Sequence, residues 1–145
     1  METIDLFRKD YYFLSNFYKC SVVYDGMSFP SVEHAFQAAK NPDSDYRKRV
    51  AGTASPAVAK RLGRSVELRP DWEDVKDSIM LELLYSKFSD PDLREKLINT
   101  GDAELIEGNN HWDRYWGVCR GQGQNRLGKL LMKVREELKF LEKEE

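Results

Sequence analysis

The sequence is poor in cysteine and has no long hydrophobic run. It contains two cysteines, Cys20 and Cys119, in 145 residues, which is too few for the disulfide framework of a small secreted protein. No stretch approaches the roughly 20 apolar residues that a membrane-spanning helix requires, and the first residues lack the basic and apolar segments of a secretion signal. We therefore expect a cytoplasmic protein without a membrane contact.

The sequence also lacks an excess of charge of one sign. Lysine and arginine together number 23 and aspartate and glutamate 25, so the formal net charge is −2. This balance excludes the global basic field that drives non-specific binding to nucleic acids. Any contact with a nucleic acid would therefore have to be local.

Two common catalytic patterns are missing. There is no Gly-x-Ser-x-Gly motif, so nothing supports a serine hydrolase of that type. The zinc-type ligands do not have the paired spacing of a zinc site; they are Cys20, His34, His111 and Cys119. We therefore expect no metal site.

The order of the predicted elements indicates an α+β fold, mainly α-helical, with a small β-sheet in the N-terminal half. The length is that of one domain, so we expect a single domain over residues 1–145. Residues 3–7 alternate like a short strand. The apolar runs Val22–Tyr24 and Met27–Phe29 flank an Asp-Gly pair, which is a strong signal for a two-residue hairpin.

Helices are expected from Ser31 onward, and capping residues mark their beginnings. Ser31, Ser55 and Asp90 are good N-caps, and a proline follows the last two at the first helical position. Gly63 is expected to end the helix that begins after Ser55, and Asp71 to begin the next one.

The last helix is expected over about residues 124–143, after a short strand at residues 104–107. Its apolar positions recur with helical period and predict a buried stripe, made of Leu127, Leu130, Leu131, Val134, Leu138 and Leu141. Its charged positions are expected to face water, and they are Lys129, Lys133, Arg135, Glu136 and Glu137.

The helix after Ser31 carries the first candidate for a functional site. At 3.6 residues per turn, Glu33, Gln37 and Lys40 share one stripe, beside the apolar stripe of Val32, Ala35, Phe36 and Ala39. A simpler interpretation is that an acid in the first turn and a base in the last turn only complement the helix dipole. Lys40 becomes a nucleophile if burial lowers its pKa, because the neutral amine attacks a carbonyl-like carbon.

A second segment, residues 109–117, places three large aromatic side chains within five residues. Trp112, Tyr115 and Trp116 lie beside Asp113, a composition that suits stacking of a planar heterocycle. Asp113 and Glu33 are each able to stabilise a cationic transition state or to act as a general base. The glycine-rich residues 121–128 then lead into the last helix and could offer backbone N–H groups to a phosphate.

Four motifs in order resemble the NADAR (NAD and ADP-ribose associated) domain family of YbiA-like N-glycosidases. They are Phe-Leu-Ser-Asn-Phe at 13–17, Glu-His-Ala-Phe-Gln-Ala-Ala-Lys at 33–40, Asp-Arg-Tyr-Trp-Gly at 113–117, and Gly-Gln-Asn-Arg-Leu-Gly-Lys-Leu-Leu-Met at 123–132. The resemblance implies hydrolysis of an N-glycosidic bond between a ribose and a nitrogen base, without a metal or redox cofactor. It implies as substrates phosphoribosylamino-pyrimidine intermediates of riboflavin biosynthesis or, in other members, ADP-ribose attached to guanine in nucleic acid.

The resemblance also indicates which residues act. Glu33, Lys40 and Asp113 are the expected catalytic residues, and Lys40 matches the family lysine thought to form a Schiff base with the anomeric carbon of the sugar. The resemblance implies that Trp72 and Trp116 also matter for activity. The position of the loops suggests further substrate contacts: Asn16 and Tyr18 at the ribose, a phosphate site around Gly121, Gly123 and Asn125, and contacts from Gln37 and Gly117.

Other interpretations remain open from the sequence. The same pocket could belong to a non-catalytic module that binds ADP-ribose or NAD, or the last helix could serve only as an interaction surface. A small-molecule ribosyl or ADP-ribosyl substrate ranks first, although an ADP-ribosylated nucleic acid could bind through a local patch such as Lys60, Arg61 and Arg64. The oligomeric state is not determined by these patterns.

Overall fold

The computed structural model describes residues 2–144. Its elements, in chain order, are β1 (Thr3–Ile4), a 3-10 helix (Lys9–Leu14), β2 (Val22–Tyr24), β3 (Met27–Phe29), α1 (Val32–Ala38), α2 (Ser44–Ala51), α3 (Pro56–Ser65), α4 (Trp72–Lys87), α5 (Pro91–Ile98), β4 (Glu104–Leu105), β5 (Gly108–Asn109), β6 (Val118–Cys119) and α6 (Arg126–Lys143). The α+β class with predominant helix is confirmed. No helix among the described residues is long and apolar enough to cross a membrane.

The chain groups into two compact units. The central unit is Asn16–Lys87, and the terminal unit combines the chain up to Ser15 with the chain from Phe88 onward. The expectation of a single domain stays a prediction.

The central unit is built around α1. This helix packs against α2, α3, α4 and the β2–β3 hairpin, and its apolar side is completely covered because Val32, Ala35 and Ala38 have no exposed surface. The predicted hairpin is confirmed: β2 and β3 pair antiparallel with Tyr24 opposite Met27. Its turn residues Asp25 and Gly26 have φ angles of 50° and 78°, as a two-residue turn with two left-handed positions requires.

The terminal unit contains two short parallel strand pairs. β1 pairs with β4, placing Ile4 opposite Leu105, and β5 pairs with β6. α6 packs on β4 and α5. The prediction of one small sheet in the N-terminal half therefore missed two pairs, because a parallel pair joins segments that are distant in sequence and leaves no hairpin signal.

The starts of α1, α3 and α5 were predicted correctly, because capping is a local interaction, whereas the start of α2 was not predicted. The side chains of Ser31, Ser55 and Asp90 accept hydrogen bonds from backbone N–H groups of α1, α3 and α5. The predicted end of α3 at Gly63 was wrong, since the helix continues to Ser65. Gly63 is required for a close approach of α1 rather than for helix termination, as described below.

Two predictions for α6 were also wrong. Leu141 is 51 % exposed, whereas Arg135, expected to face water, is only 3 % exposed. The Nη1 atom of Arg135 donates to Oγ1 of Thr100 at 2.9 Å. Helical period assigns residues to a face but does not say how far along that face the packing partners extend.

Candidate functional site

The first turn of α1 is held by a buried histidine. His34 Nε2 lies 3.0 Å from the carbonyl oxygen of Thr53, and its Nδ1 lies 2.7 Å from Oγ of Ser31. Because a carbonyl only accepts, Nε2 carries the proton and Nδ1 accepts from the serine hydroxyl. Burial lowers the pKa of His34, and the Thr53 hydrogen bond opposes this effect. His34 is therefore a structural residue that anchors α1.

Glu33 and Gln37 interact one turn apart on α1. Nε2 of Gln37 donates to the Oε2 atom of the Glu33 carboxylate, and the backbone N–H of Glu33 donates to the carbonyl oxygen of Asn16 at 3.0 Å. Gln37 is only 4 % exposed, and its Oε1 atom has no hydrogen-bond partner. The carboxylate is thus oriented by a donor that is itself buried.

Gly63 on α3 contacts this cluster from the other side. A Cβ atom at this position would overlap Oε1 of Gln37 and lie 2.7 Å from its Cδ. The carbonyl oxygen of Gly63 accepts a hydrogen bond from Nζ of Lys40 at 3.4 Å. The predicted stripe of Glu33, Gln37 and Lys40 is therefore brought together at one glycine, whose importance the sequence reasoning missed.

The environment of Lys40 lowers the pKa of its amine. Burial lowers the pKa of Lys40, the carboxylate of Glu33 raises it, and three further cations lower it by charge repulsion: Lys60, Arg64 and Lys76. A larger fraction of neutral amine at neutral pH follows, and this is the form that attacks an electrophilic carbon. The condition under which the sequence made Lys40 a candidate nucleophile is therefore met.

Three further residues of the central unit, predicted to contact substrate, each contact other protein side chains: Trp72, Tyr18 and Asn16. Trp72 is 5 % exposed and its ring packs against Phe36, with centroids 5.0 Å apart, as a core residue does. The ring of Tyr18 lies 5.7 Å from the ammonium of the buried Lys87. The side chain of Asn16 donates weakly to the sulfur of Met80 at 3.7 Å, while its buried Oδ1 has no partner.

The predicted Asp113 segment belongs to the terminal unit, where Asn109 organises the loop. Oδ1 of Asn109 accepts from the backbone N–H of His111 and of Asp113, and its Nδ2 donates to the carbonyl oxygen of Asp113 at 2.9 Å. Asp113 in turn accepts at Oδ1 from the N–H groups of Tyr115 (3.1 Å) and Trp116 (2.9 Å). Asp113 therefore has a clear structural role, and Trp116, half-buried, is placed by it.

Much of the glycine-rich segment that was predicted to bind a phosphate is hydrogen-bonded within the protein, and the phosphate site stays a prediction. Five backbone N–H groups at the end of this loop and the start of α6 donate to carbonyl oxygens of the protein. The donors are Gln122, Gln124, Asn125, Arg126 and Leu127. A Cβ on Gly123 would overlap the carbonyl oxygen of Gly117, and one on Gly117 would overlap the carboxylate of Glu107. These two glycines serve close backbone packing, whereas Gly121, with φ +77°, has open space around it.

The side chain of Asn125 is also hydrogen-bonded within the protein. Its Oδ1 accepts from the N–H of Glu107 at 2.9 Å, its Nδ2 donates to the carbonyl oxygen of Leu105 at 2.9 Å, and its backbone is left-handed with φ 50°. Both polar ends of the side chain hold the β4 to β5 connection. The predicted role of Asn125 as a ligand contact gains no support from this geometry.

Trp112, by contrast, is displayed on the surface. Its ring is 57 % exposed, and the guanidinium groups of Arg114 and Arg120 lie 5.2 and 4.5 Å from its centroid. Trp112 and Arg120 both have positive φ angles, 66° and 54°, which is rare for large side chains. Within the described residues, no group of three or more His, Cys, Asp or Glu side chains is arranged to hold a metal ion.

Comparison with known proteins identifies relatives over most of the chain. The NADAR domain model matches residues 6–139. The N-glycosidase YbiA of Escherichia coli is 44 % identical over 133 residues, which are 89 % of this chain and 82 % of that protein. An N-glycosidase of Nostoc punctiforme is 39 % identical over 134 residues, 88 % of this chain and 85 % of that protein.

Two further comparisons extend this result. A riboflavin biosynthesis protein of Vibrio vulnificus is 41 % identical over 130 residues, covering 87 % of this chain but 35 % of that longer protein. The NMR structure of E. coli YbiA matches with a TM-score of 0.87 at 40 % identity, covering 100 % of this chain and 90 % of that one. The family model, the sequence relatives and the shared fold agree, and the chain belongs to the NADAR domain family.

Proposed function

We propose that this chain hydrolyses the N-glycosidic bond of a ribosylated nitrogen base through an imine between Lys40 and C1′ of the sugar. The reaction class follows from the family, whose relatives are named N-glycosidases. The mechanism is supported by one observation above all. Lys40, just beyond the C-terminal end of α1, is a partly buried amine whose pKa is lowered, and it lies within the electrostatic influence of the Glu33 carboxylate.

The proposed reaction has two steps. The C1′–O4′ bond first breaks as O4′ takes a proton and the base nitrogen forms a double bond to C1′. Nζ of Lys40 then adds to C1′ and loses a proton, and the bond from C1′ to the base nitrogen breaks as that nitrogen takes a proton, leaving an imine between C1′ and Nζ. Water then adds to the resulting imine and releases Lys40 and the open-chain sugar. Glu33 is proposed to accept and return the protons. Asp113 stays a catalytic prediction based on the family resemblance.

The charges around Lys40 support a phosphorylated sugar. Lys60 and Arg64 lie one turn apart on α3, and with Lys76 they repel the charge of Lys40. Neither Lys60 nor Arg64 forms an ion pair with a described residue. A phosphate group would relieve this like-charge repulsion. We therefore propose a phosphoribosylated base, such as the phosphoribosylamino-pyrimidines of riboflavin biosynthesis, as the small-molecule substrate.

The buried Oδ1 atom of Asn16 supports a role in ribose binding. A buried acceptor without a partner costs free energy, and a sugar hydroxyl is a suitable donor. Asn16 is also tied to the cluster, because its carbonyl oxygen holds the backbone of Glu33. Tyr18 stays a proposed contact because of its position in the chain, and Trp72 and Trp116 stay proposed contacts because of the resemblance.

The decisive experiment is borohydride reduction during turnover. Purified protein is mixed with a phosphoribosylamino-pyrimidine, and mass spectrometry follows both the free base and the protein. We expect release of the base and, with borohydride, a reduced pentose phosphate adduct on Lys40. Turnover without any adduct would refute the imine and favour direct attack by water through an oxocarbenium-like state.

A second candidate substrate is ADP-ribose attached to guanine in nucleic acid. The exposed Trp112 with its two arginines favours this candidate, because indole faces stack on bases and guanidinium groups bind phosphates. An ADP-ribosylated guanine oligonucleotide should therefore compete in the same reaction. Release of guanine-containing oligonucleotide at a higher kcat/KM than the pyrimidine base would make it the preferred substrate. Binding of either compound without cleavage would support a non-catalytic reader instead.

A further inference from the structure

We propose that Gln37 and Gly63 form a positioning device for Glu33, rather than a substrate contact and a simple helix residue. The inference rests on the proposed function, since it concerns how Glu33 is held for proton transfer. Gln37 supplies the donor that orients the carboxylate. Gly63 supplies the space in which the amide of Gln37 lies.

The amide of Gln37 has one orientation that fits its surroundings. Nε2 faces the carboxylate of Glu33, and turning the amide over would place two oxygen atoms against each other. The Oε1 atom must then face away, and it is buried without a hydrogen-bond partner. A buried amide oxygen of this kind is unfavourable. It persists because the opposite end of the amide interacts with a charge, which makes the stronger hydrogen bond.

Gly63 is the residue that permits this arrangement. Glycine is unfavourable within a helix compared with alanine, yet it occupies the interior of α3. Any Cβ there would overlap Oε1 of Gln37 and also lie 3.2 Å from its Cβ atom. Gln37 has little room to move aside, since it is 4 % exposed. A larger residue at position 63 would therefore turn the amide away from Glu33.

The same glycine also contacts the proposed nucleophile. Its carbonyl oxygen accepts from Nζ of Lys40 at 3.4 Å. One short part of α3 therefore sets the position of both groups: Glu33 through Gln37, and Lys40 directly. A hydrogen bond from a neutral amide favours the charged form of a carboxyl group, so Gln37 maintains Glu33 as a proton acceptor.

The first test replaces Gln37 by methionine, which has a similar volume but no donor. We expect kcat of the Gln37→Met variant to fall by up to about 10²-fold, because a misplaced catalytic group costs about that much. KM should change little, and the acid limb of the pH profile should move to higher pH. A raised KM with unchanged kcat would identify Gln37 as a substrate contact and overturn the proposal.

A readout that does not depend on turnover separates this proposal from the proposed function. Carbon-13 NMR of labelled glutamate should show Glu33 titrating at higher pH in Gln37→Met than in the unchanged protein. If no glycoside is cleaved by any form, the proposed function fails while this titration still decides the positioning role. An identical titration in both proteins would refute that role.

The second test addresses Gly63 by a double-mutant cycle. Gly63→Ala should lower both stability and kcat, whereas Gly63→Ala combined with Gln37→Ala should recover stability but keep the low kcat of Gln37→Ala. Gly52→Ala is the matched control, since its Cβ would come no closer than 3.4 Å to another atom. Additive losses of stability in the double variant would show that Gly63 does not act through Gln37.

Discussion

The polar clusters of the two units use their side chains differently. In the terminal unit, Asn109 and Asp113 are hydrogen-bonded to backbone groups of their own loop, and Asn125 to backbone groups of Leu105 and Glu107. In the central unit, Asn16 and Gln37 each keep a buried oxygen atom without a hydrogen-bond partner. Satisfied side chains of the first kind build a scaffold. Unsatisfied ones of the second kind are expected at a site that binds or positions reacting groups.

This contrast separates two sets of residues that looked alike in sequence. Both sets contain amides for which the sequence predicted a substrate contact: Asn16 and Gln37 in the central unit and Asn125 in the terminal unit. The Oδ1 atom of Asn16 has no hydrogen-bond partner and supports a substrate contact there. Both polar ends of the Asn125 side chain are hydrogen-bonded within the protein. Function is therefore better argued from which polar atoms remain available than from residue type.

The strongest test of the central cluster is Lys40→Arg, which keeps the charge but removes the nucleophilic amine. We expect kcat to fall by roughly 10⁴-fold or more, as for loss of a nucleophile elsewhere, and the borohydride adduct to disappear. Lys129→Arg, on the exposed side of α6, is the control. Turnover within about tenfold of the unchanged protein would exclude Lys40 as the nucleophile.

The Asp113→Asn variant tests whether the loop that carries Asp113 takes part in catalysis or only stabilises the terminal unit. The amide keeps the oxygen acceptor for Tyr115 and Trp116 but loses the charge, so stability should change by less than about 1 kcal/mol. If Asp113 is catalytic, kcat should fall by about 10²- to 10⁴-fold. Urea unfolding and steady-state kinetics measure the two effects separately. An active Asp113→Asn with an unstable Asp113→Ala would leave Asp113 a structural residue only.

The buried Lys87 of the central unit predicts a dependence of stability on pH. Burial lowers the pKa of Lys87 from its ordinary 10.5 to about 8, an effect that the charge of Cys20 partly opposes. Between these two values the unfolded chain binds more protons, so the folded state gains stability as pH rises. The gain relative to Lys87→Met should reach roughly 3 kcal/mol between pH 7 and pH 11.

Urea unfolding of the unchanged protein and of Lys87→Met at several pH values measures this difference. The contributions of titratable groups that both proteins share cancel when the two free energies of unfolding are subtracted. Lys129→Met provides the control for an exposed lysine and should show no such trend. A stability difference that is constant across the pH range would mean that folding leaves the pKa of Lys87 unchanged.

Asn125→Ala tests the scaffold interpretation with the smallest expected effect. The variant loses two side-chain hydrogen bonds, and alanine must adopt the left-handed backbone conformation of this position. Together these effects should destabilise the fold by about 2 kcal/mol. Asn125→Gly should be less destabilising, since glycine accepts the backbone conformation. KM should be unchanged in both variants at a temperature where they are folded. A raised KM would restore Asn125 as a ligand contact.

Local interactions made several parts of the fold predictable. The caps Ser31, Ser55 and Asp90 act on groups two or three residues away, and the Asp-Gly turn joins adjacent strands. Contacts between distant segments were not predictable. Arg135 reaches Thr100 across 35 residues, and β1 pairs with β4, and neither leaves a periodic signal in the sequence.

The candidate site shows the same division. The stripe of Glu33, Gln37 and Lys40 follows from helical spacing, and the family resemblance follows from four ordered motifs, so the sequence by itself determined the fold class, the reaction family and these side chains. Only the tertiary structure decided that Gly63 contacts Gln37 and Lys40, that burial lowers the pKa of Lys40, and that several N–H groups of the glycine-rich loop donate to protein carbonyl oxygens. These properties depend on desolvation and on which donors remain available, and both arise only when distant segments pack together.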